Sequence, residues 1–162
     1  MSIEKGQVLP GATLLRIGDA GPETISLGDK MKGRKIVIFA VPGAYTGVCT
    51  TAHVPSFIRT IDALKAKGVA EVICISVNDP FVVKAWGEST GATAAGITML
   101  ADPESAFTTA IGMNFSAPPA GLIDRSQRYA MVVEDGVVTV LNKEEAPGVC
   151  DISGGEAILD VV

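Results

Sequence analysis

The sequence is short of histidine, cysteine, aromatic side chains and positive charge, and each shortage closes off a class of function. One histidine, His53, and three scattered cysteines, Cys49, Cys74 and Cys150, provide no close ligand pair of the C-x2-C kind, so no metal site is expected. Three is also an odd number of cysteines, poor material for the disulfide framework of a small secreted domain. Lys and Arg number 13 against 18 Asp and Glu, a net charge of −5, whereas nucleic-acid binding needs a basic surface to displace counterions from phosphates. No apolar run approaches the ~18–20 residues that cross a bilayer. The segment Met1 to Gly6 lacks the charged-then-apolar layout of a secretory signal. A cytoplasmic protein that binds neither nucleic acid nor membrane is expected.

What is present is a foldable composition: 48% hydrophobic and 19% charged residues over 162 positions, with a mean hydropathy of +0.38. No linker-like stretch or repeat interrupts the chain, so residues 1–162 are expected to form a single domain. Lys35 to Val41 and Val72 to Val77 are apolar runs of the sort buried on both faces of a sheet. Between them Val54, Phe57, Ile58, Ile61 and Leu64 recur at helical spacing, with Gly68 placed to stop the helix. A second round follows, with a helix over Phe81 to Thr90 and a strand over Ile97 to Leu100. Another helix is expected from Asp102-Pro103-Glu104 to near Gly112. Asp135-Gly136 marks a tight hairpin between Tyr129 to Glu134 and Val137 to Leu141, so the sheet is mixed. Runs at 12–17 and 24–27 suggest a small N-terminal hairpin. Ser153 and Glu156 have the spacing of a capping box ahead of a short terminal helix.

The segment Pro42-Gly43-Ala44-Tyr45-Thr46-Gly47-Val48-Cys49 leaves the carboxyl end of the most apolar strand, where ligands of α/β sheets gather. Cys49 falls in the first turn of the following helix, where free N–H groups and the macrodipole favour a thiolate. A reactive thiol is therefore favoured over a merely buried one. His53, four residues on, would share its helical face and invites a Cys–His hydrolase reading. That reading lacks an orienting carboxylate and has Pro55 two residues further along. A catalytically idle interaction module is the other rival.

The same segment, with His53-Val54-Pro55-Ser56-Phe57, resembles the active-site signature of the peroxiredoxins, and more narrowly their type II, or peroxiredoxin 5-like, branch. The likeness continues through Val77-Asn78-Asp79-Pro80-Phe81, Trp86, Leu100-Ala101-Asp102-Pro103 and Met131 to Gly136. It implies a thioredoxin-like α/β fold with a mixed central sheet flanked by helices. It also implies a thiol peroxidase for hydrogen peroxide and organic hydroperoxides that has no metal or bound organic cofactor. Cys49 would be the nucleophile, passing through a sulfenic acid. Thr46 would hydrogen-bond sulfur and peroxide, Pro42 would shield the pocket, and Arg125 would supply the guanidinium near sulfur. Arg128 lies three residues away and is not distinguished from Arg125 by the sequence alone. Cys150 and Cys74 are both candidate resolving cysteines, with Cys150 favoured. The alternative is direct reduction by an external thiol, glutathione with glutaredoxin, or thioredoxin. A homodimer is implied as well. Tyr45, Gly47-Val48 and Ser56 depart from the commonest pattern without removing a catalytic role.

Overall fold

A computed structural model describes residues 2–162. Its centre is a seven-stranded sheet in the order β2-β1-β5-β4-β3-β8-β9. β3 (Lys35–Val41) and β4 (Glu71–Ser76) are parallel and pair from Ile36 with Glu71 to Val41 with Ser76. β5 (Thr98–Ala101) continues the parallel set, while β1 (Thr13–Gly18), β2 (Gly21–Ser26), β8 (Tyr129–Glu134) and β9 (Val137–Lys143) add antiparallel pairs. The mixed sheet and N-terminal hairpin expected from the sequence are both present.

Every residue of β3 from Ile36 to Val41 is buried, because both faces are covered. Val37, Phe39 and Val41 join one core with Val54, Phe57, Ile61 and Leu64 of α2 (Val54–Ala66), Trp86 of α3 (Pro80–Thr90) and Ile158 of α6 (Gly155–Leu159). Ile36, Ile38 and Ala40 join the other with Leu27 and Met31 of α1 (Leu27–Met31) and Phe107 of α5 (Ala106–Ala110). A short α4 (Ala92–Ala95) follows α3. Strand alternation thus sorts each side chain to a layer, and odd positions of β3 face the helix that follows it.

Local signals act as expected in α3, where Asp79 Oδ1 accepts from Val82 N at 2.9 Å and Gly91 leaves the helix at φ +80°. Asp135 and Gly136 both take positive φ, 47° and 81°, the pair a primed hairpin turn requires.

Two local expectations are corrected, and one strand pair was not anticipated. α5 starts at Ala106 rather than beside Asp102, because Asp102 receives Phe107 N, Thr108 N and the Thr108 hydroxyl while the chain between loops out. There is no capping box at the last helix. Gly154 takes the N-cap position, the Ser153 hydroxyl donates to Glu144, and Glu156 pairs with Arg59. The stretch before Tyr129 also carries an antiparallel pair, β6 (Asn114–Ala117) and β7 (Leu122–Ser126), that no sequence pattern marked.

Candidate active site

Between β3 and α2 the chain makes a polar loop and then one wide π turn, Cys49–His53, before settling into α2. Val54 N reaches Cys49 O, and Pro55, which has no N–H to offer, sits at the start of the regular helix. The loop is pinned from β4's side: Ala44 N donates to Asn78 Oδ1 at 2.9 Å.

Cys49 is fully buried, yet its surroundings are not hydrocarbon alone. Thr46 Oγ1 lies 2.8 Å from Cys49 Sγ and 2.8 Å from Gly43 O. The hydroxyl has one proton, so it can swing between the two acceptors. Arg128 Nη2 donates to the same sulfur at 3.0 Å.

Arg128, only 1% exposed, is the group the sequence reading missed. Its Nη1 faces His53 Nδ1 at 2.9 Å, and Nε and Nη2 donate to Pro147 O at 3.1 and 3.0 Å. Among the described residues no carboxylate is paired with it. A buried guanidinium with no carboxylate partner gains most from an anion, and the sulfur is the partner able to become one.

Arg125 was expected in that place and stands elsewhere. It lies on β7 opposite Phe115, and its Nη1 donates to Pro42 O at 3.2 Å rather than to the sulfur. A Cβ on Gly43 would crowd that nitrogen, so glycine here leaves room for the guanidinium to approach the loop. The register explains the exchange. Tyr129 pairs with Ala40 and Ala130 with Phe39, so Arg128, one residue before β8, comes level with Val41 at the carboxyl end of β3. It shares the parity of Ala130 and Val132, which face the α2 layer. Strand alternation counted back from Val132 was the signal available in the sequence.

His53 is buried beside Phe39 and Phe57, with ring centroids 4.9 and 5.7 Å away. A guanidinium can only donate, so Nδ1 must accept from Arg128 and the Nε2–H donates to Ser153 O at 2.9 Å. Burial, reinforced by the Arg128 charge, pulls its pKa down to about 3. The ring is neutral and both nitrogens are occupied, which disposes of a Cys–His dyad.

Pro42 is buried where the loop leaves β3. Cys74 is buried on β4 opposite Phe39, facing the same layer as Cys49. Burial pushes its thiol well above the ordinary range, the neighbouring Cys49 adds to this, and Arg128 opposes it. Cys150 is half-buried in the loop from Glu144 to Ser153, and burial raises its thiol too. All three cysteines are free. Among the described residues no group of three His, Cys, Asp or Glu side chains could hold a metal ion.

The Redoxin family model matches residues 4–159. The chain is 47% identical over 136 residues to the mitochondrial peroxiredoxin-2F of Arabidopsis thaliana, covering 84% of this chain and 67% of that protein. It is 44% identical to the chloroplastic peroxiredoxin-2E-2 of Oryza sativa subsp. japonica, covering 98% and 72%. Among solved structures, reduced Prx3 of Vibrio vulnificus in complex with H2O2 superposes with a TM-score of 0.90 at 45% identity, covering 98% of each chain. Peroxiredoxin 5 of Alvinella pompejana gives 0.83 at 30% identity, covering 97% and 96%. A family model over nearly the whole chain, and relatives at 44–47% identity that share its sheet, show that this chain belongs to the peroxiredoxin family of thiol-dependent peroxidases.

Proposed function

We propose that the protein reduces hydrogen peroxide and organic hydroperoxides at Cys49 through a sulfenic acid. The observation that carries this reading is Arg128 Nη2 on Cys49 Sγ, with no carboxylate among the described residues paired to share its charge. The thiolate attacks the nearer peroxide oxygen; an S–O bond forms as the O–O bond breaks, and the departing oxide takes a proton to leave as water or alcohol. Sulfur gives up two electrons to the peroxide. The Thr46 hydroxyl and the Arg128 guanidinium are placed to stabilise charge that grows on the separating oxygens. Cys49 is covered in this structure, and the π turn that carries it, with its wider hydrogen-bond spacing, is a weak point suited to local opening. The solved relative with bound H2O2 lends support to the substrate class.

A second thiol then attacks the sulfenic sulfur, forming a disulfide and releasing water. Cys150, half-buried in a loop, suits that role better than Cys74, which is locked inside β4. Glutathione with glutaredoxin, or thioredoxin, would return the enzyme to its dithiol state without any bound metal or organic cofactor. The exposed Tyr45, in the loop after β3, and Phe81, in the first turn of α3, flank the Ala44–Asn78 bond and favour a homodimer through this face. A cytoplasmic address is retained as part of the reading, although two relatives are named mitochondrial and chloroplastic; cell fractionation checks it. No helix among the described residues is long and apolar enough to cross a membrane.

The test is peroxide consumption with each donor, followed by mass mapping after one equivalent of peroxide. Cys49→Ser is expected to abolish turnover with the fold intact, Cys74→Ser to retain it, and Cys150→Ser to leave Cys49 as a sulfenic acid open to external thiol. Turnover by Cys49→Ser overturns the assignment, and a Cys49–Cys74 bridge overturns the choice of Cys150.

A further inference from the structure

Glu144 is a buried carboxylate outside the reacting cluster, and the mechanism above does not use it. Its Oε2 accepts three hydrogen bonds from the Cys150 loop: Asp151 N at 2.7 Å, Ser153 N at 2.8 Å and Ser153 Oγ at 2.6 Å. Its own N donates to Arg128 O at 2.9 Å, so it is registered on the strand pair that carries the guanidinium. The same loop is gripped twice more. Pro147 O takes two bonds from Arg128, and Ser153 O takes the His53 Nε2–H. Glu144, Ser153, His53, Arg128 and Pro147 therefore close a ring of contacts around Cys150, and the ring ends on Cys49 Sγ through Arg128.

We infer that Glu144 is a positioning residue for the peroxidase: by folding the Cys150 loop onto one carboxylate it sets Ser153 O and Pro147 O, and these hold Arg128, directly and through His53, against Cys49. Burial alone would favour the protonated acid, but the Ser153 and Asp151 donors outweigh it and hold the carboxyl below its ordinary value, as a loaded anchor requires. The chain of contacts explains why a carboxylate is buried here although it touches neither sulfur nor guanidinium side chain. The Ala146 to Val149 stretch it closes is exposed and has little apolar packing of its own, so its position depends on these polar ties. The inference rests on Cys49 and Arg128 being the reacting pair.

The experiment measures two things in the reduced protein and in Glu144→Ala and Glu144→Gln: the alkylation rate of Cys150, and the peroxide rate of Cys49 with its alkylation against pH. Losing three bonds to a charged acceptor is expected to raise Cys150 labelling about ten-fold or more and slow Cys49 oxidation about ten-fold. The Cys49 alkylation midpoint is expected to move upward. Glu144→Gln keeps an acceptor oxygen but no charge and should lie between wild type and alanine. If Glu144→Ala does not fold, Glu144→Gln decides alone. An unmoved Cys49 rate and pH profile in a folded variant overturns the inference, even with a lower melting temperature, since that would mark a loop staple only. Failure of the parent reading looks different: there wild type itself shows no Cys49-dependent turnover, while Cys150 labelling still reports whether Glu144 holds the loop.

Discussion

Replacing Arg128 with methionine keeps a long apolar stem and removes four contacts, of which one, Nη2 to Cys49 Sγ at 3.0 Å, bears on the chemistry. A hydrogen bond to a charged group contributes about 1.5–3 kcal/mol. Coulomb attraction at about 4 Å in an effective dielectric near 20 sets a ceiling of roughly 4 kcal/mol. At about 1.4 kcal/mol per factor of ten, Arg128→Met should lower the second-order rate with peroxide by about 10- to 100-fold and shift Cys49 alkylation to higher pH. Arg128→Lys should fall between, because one ammonium cannot reach Cys49, His53 and Pro147 together as the planar fork does. The variant also strands the His53 Nδ1 and Pro147 O acceptors at a cost of about 1–3 kcal/mol each, so rates are read by stopped flow well below the melting transition and normalised to folded protein. Arg125→Met is the control. It loses a bond to Pro42 O that lies off the sulfur and should cost far less. A wild-type rate and alkylation curve in Arg128→Met, or a larger loss from Arg125→Met, would refute the assignment of the guanidinium.

Two further outcomes follow from the same geometry. Thr46→Val keeps shape but loses the hydroxyl 2.8 Å from sulfur, and peroxide turnover should fall about ten-fold, with Thr46→Ser largely preserving it; equal losses in both would point to packing. Stability should decline in acid. The unfolded chain protonates His53 near 6.5, whereas the folded ring takes a proton only near 3, so folded-state stability is full above 6.5 and drains away as pH falls toward 3. The loss is on the order of a few kcal/mol, and Glu144, held below its ordinary value, adds to it at the acid end. Denaturant midpoints across that range check it, and His53→Gln should flatten the slope; an unchanged slope would mean that His53 is not the group responsible.

Much of this architecture could be read from local pattern because its causes are local. The unbroken apolar run at Lys35 to Val41 required a strand covered on both sides, the spacing of Val54, Phe57, Ile61 and Leu64 required a helix over one of them, and Asp135-Gly136 required a tight turn. Cys49 at a strand-to-helix junction was legible for the same reason, as was Thr46 one turn before it. The capping box at Ser153 failed because a distant partner, Glu144, competed for the hydroxyl and won.

The amino-acid order by itself determined most of the strand, helix and turn sequence, the mixed sheet, and the place of Cys49 at a strand-to-helix junction, since each depends on neighbours within a few residues. Tertiary structure alone decided that Arg128 rather than Arg125 meets the sulfur, that His53 is a neutral spacer between that guanidinium and Ser153, and that the Cys150 loop is tied to the same cluster. The bonds of Arg128 to Cys49 and His53 and of His53 to Ser153 join residues 75 to 100 positions apart, and that of Arg128 to Pro147 residues 19 apart; their geometry follows from the register of β8 on β3 and from the folding of a loop onto one carboxylate. Alternation along β8 marks which face Arg128 shares, but which strand lies beside it and where the loop folds back are set outside the segment itself.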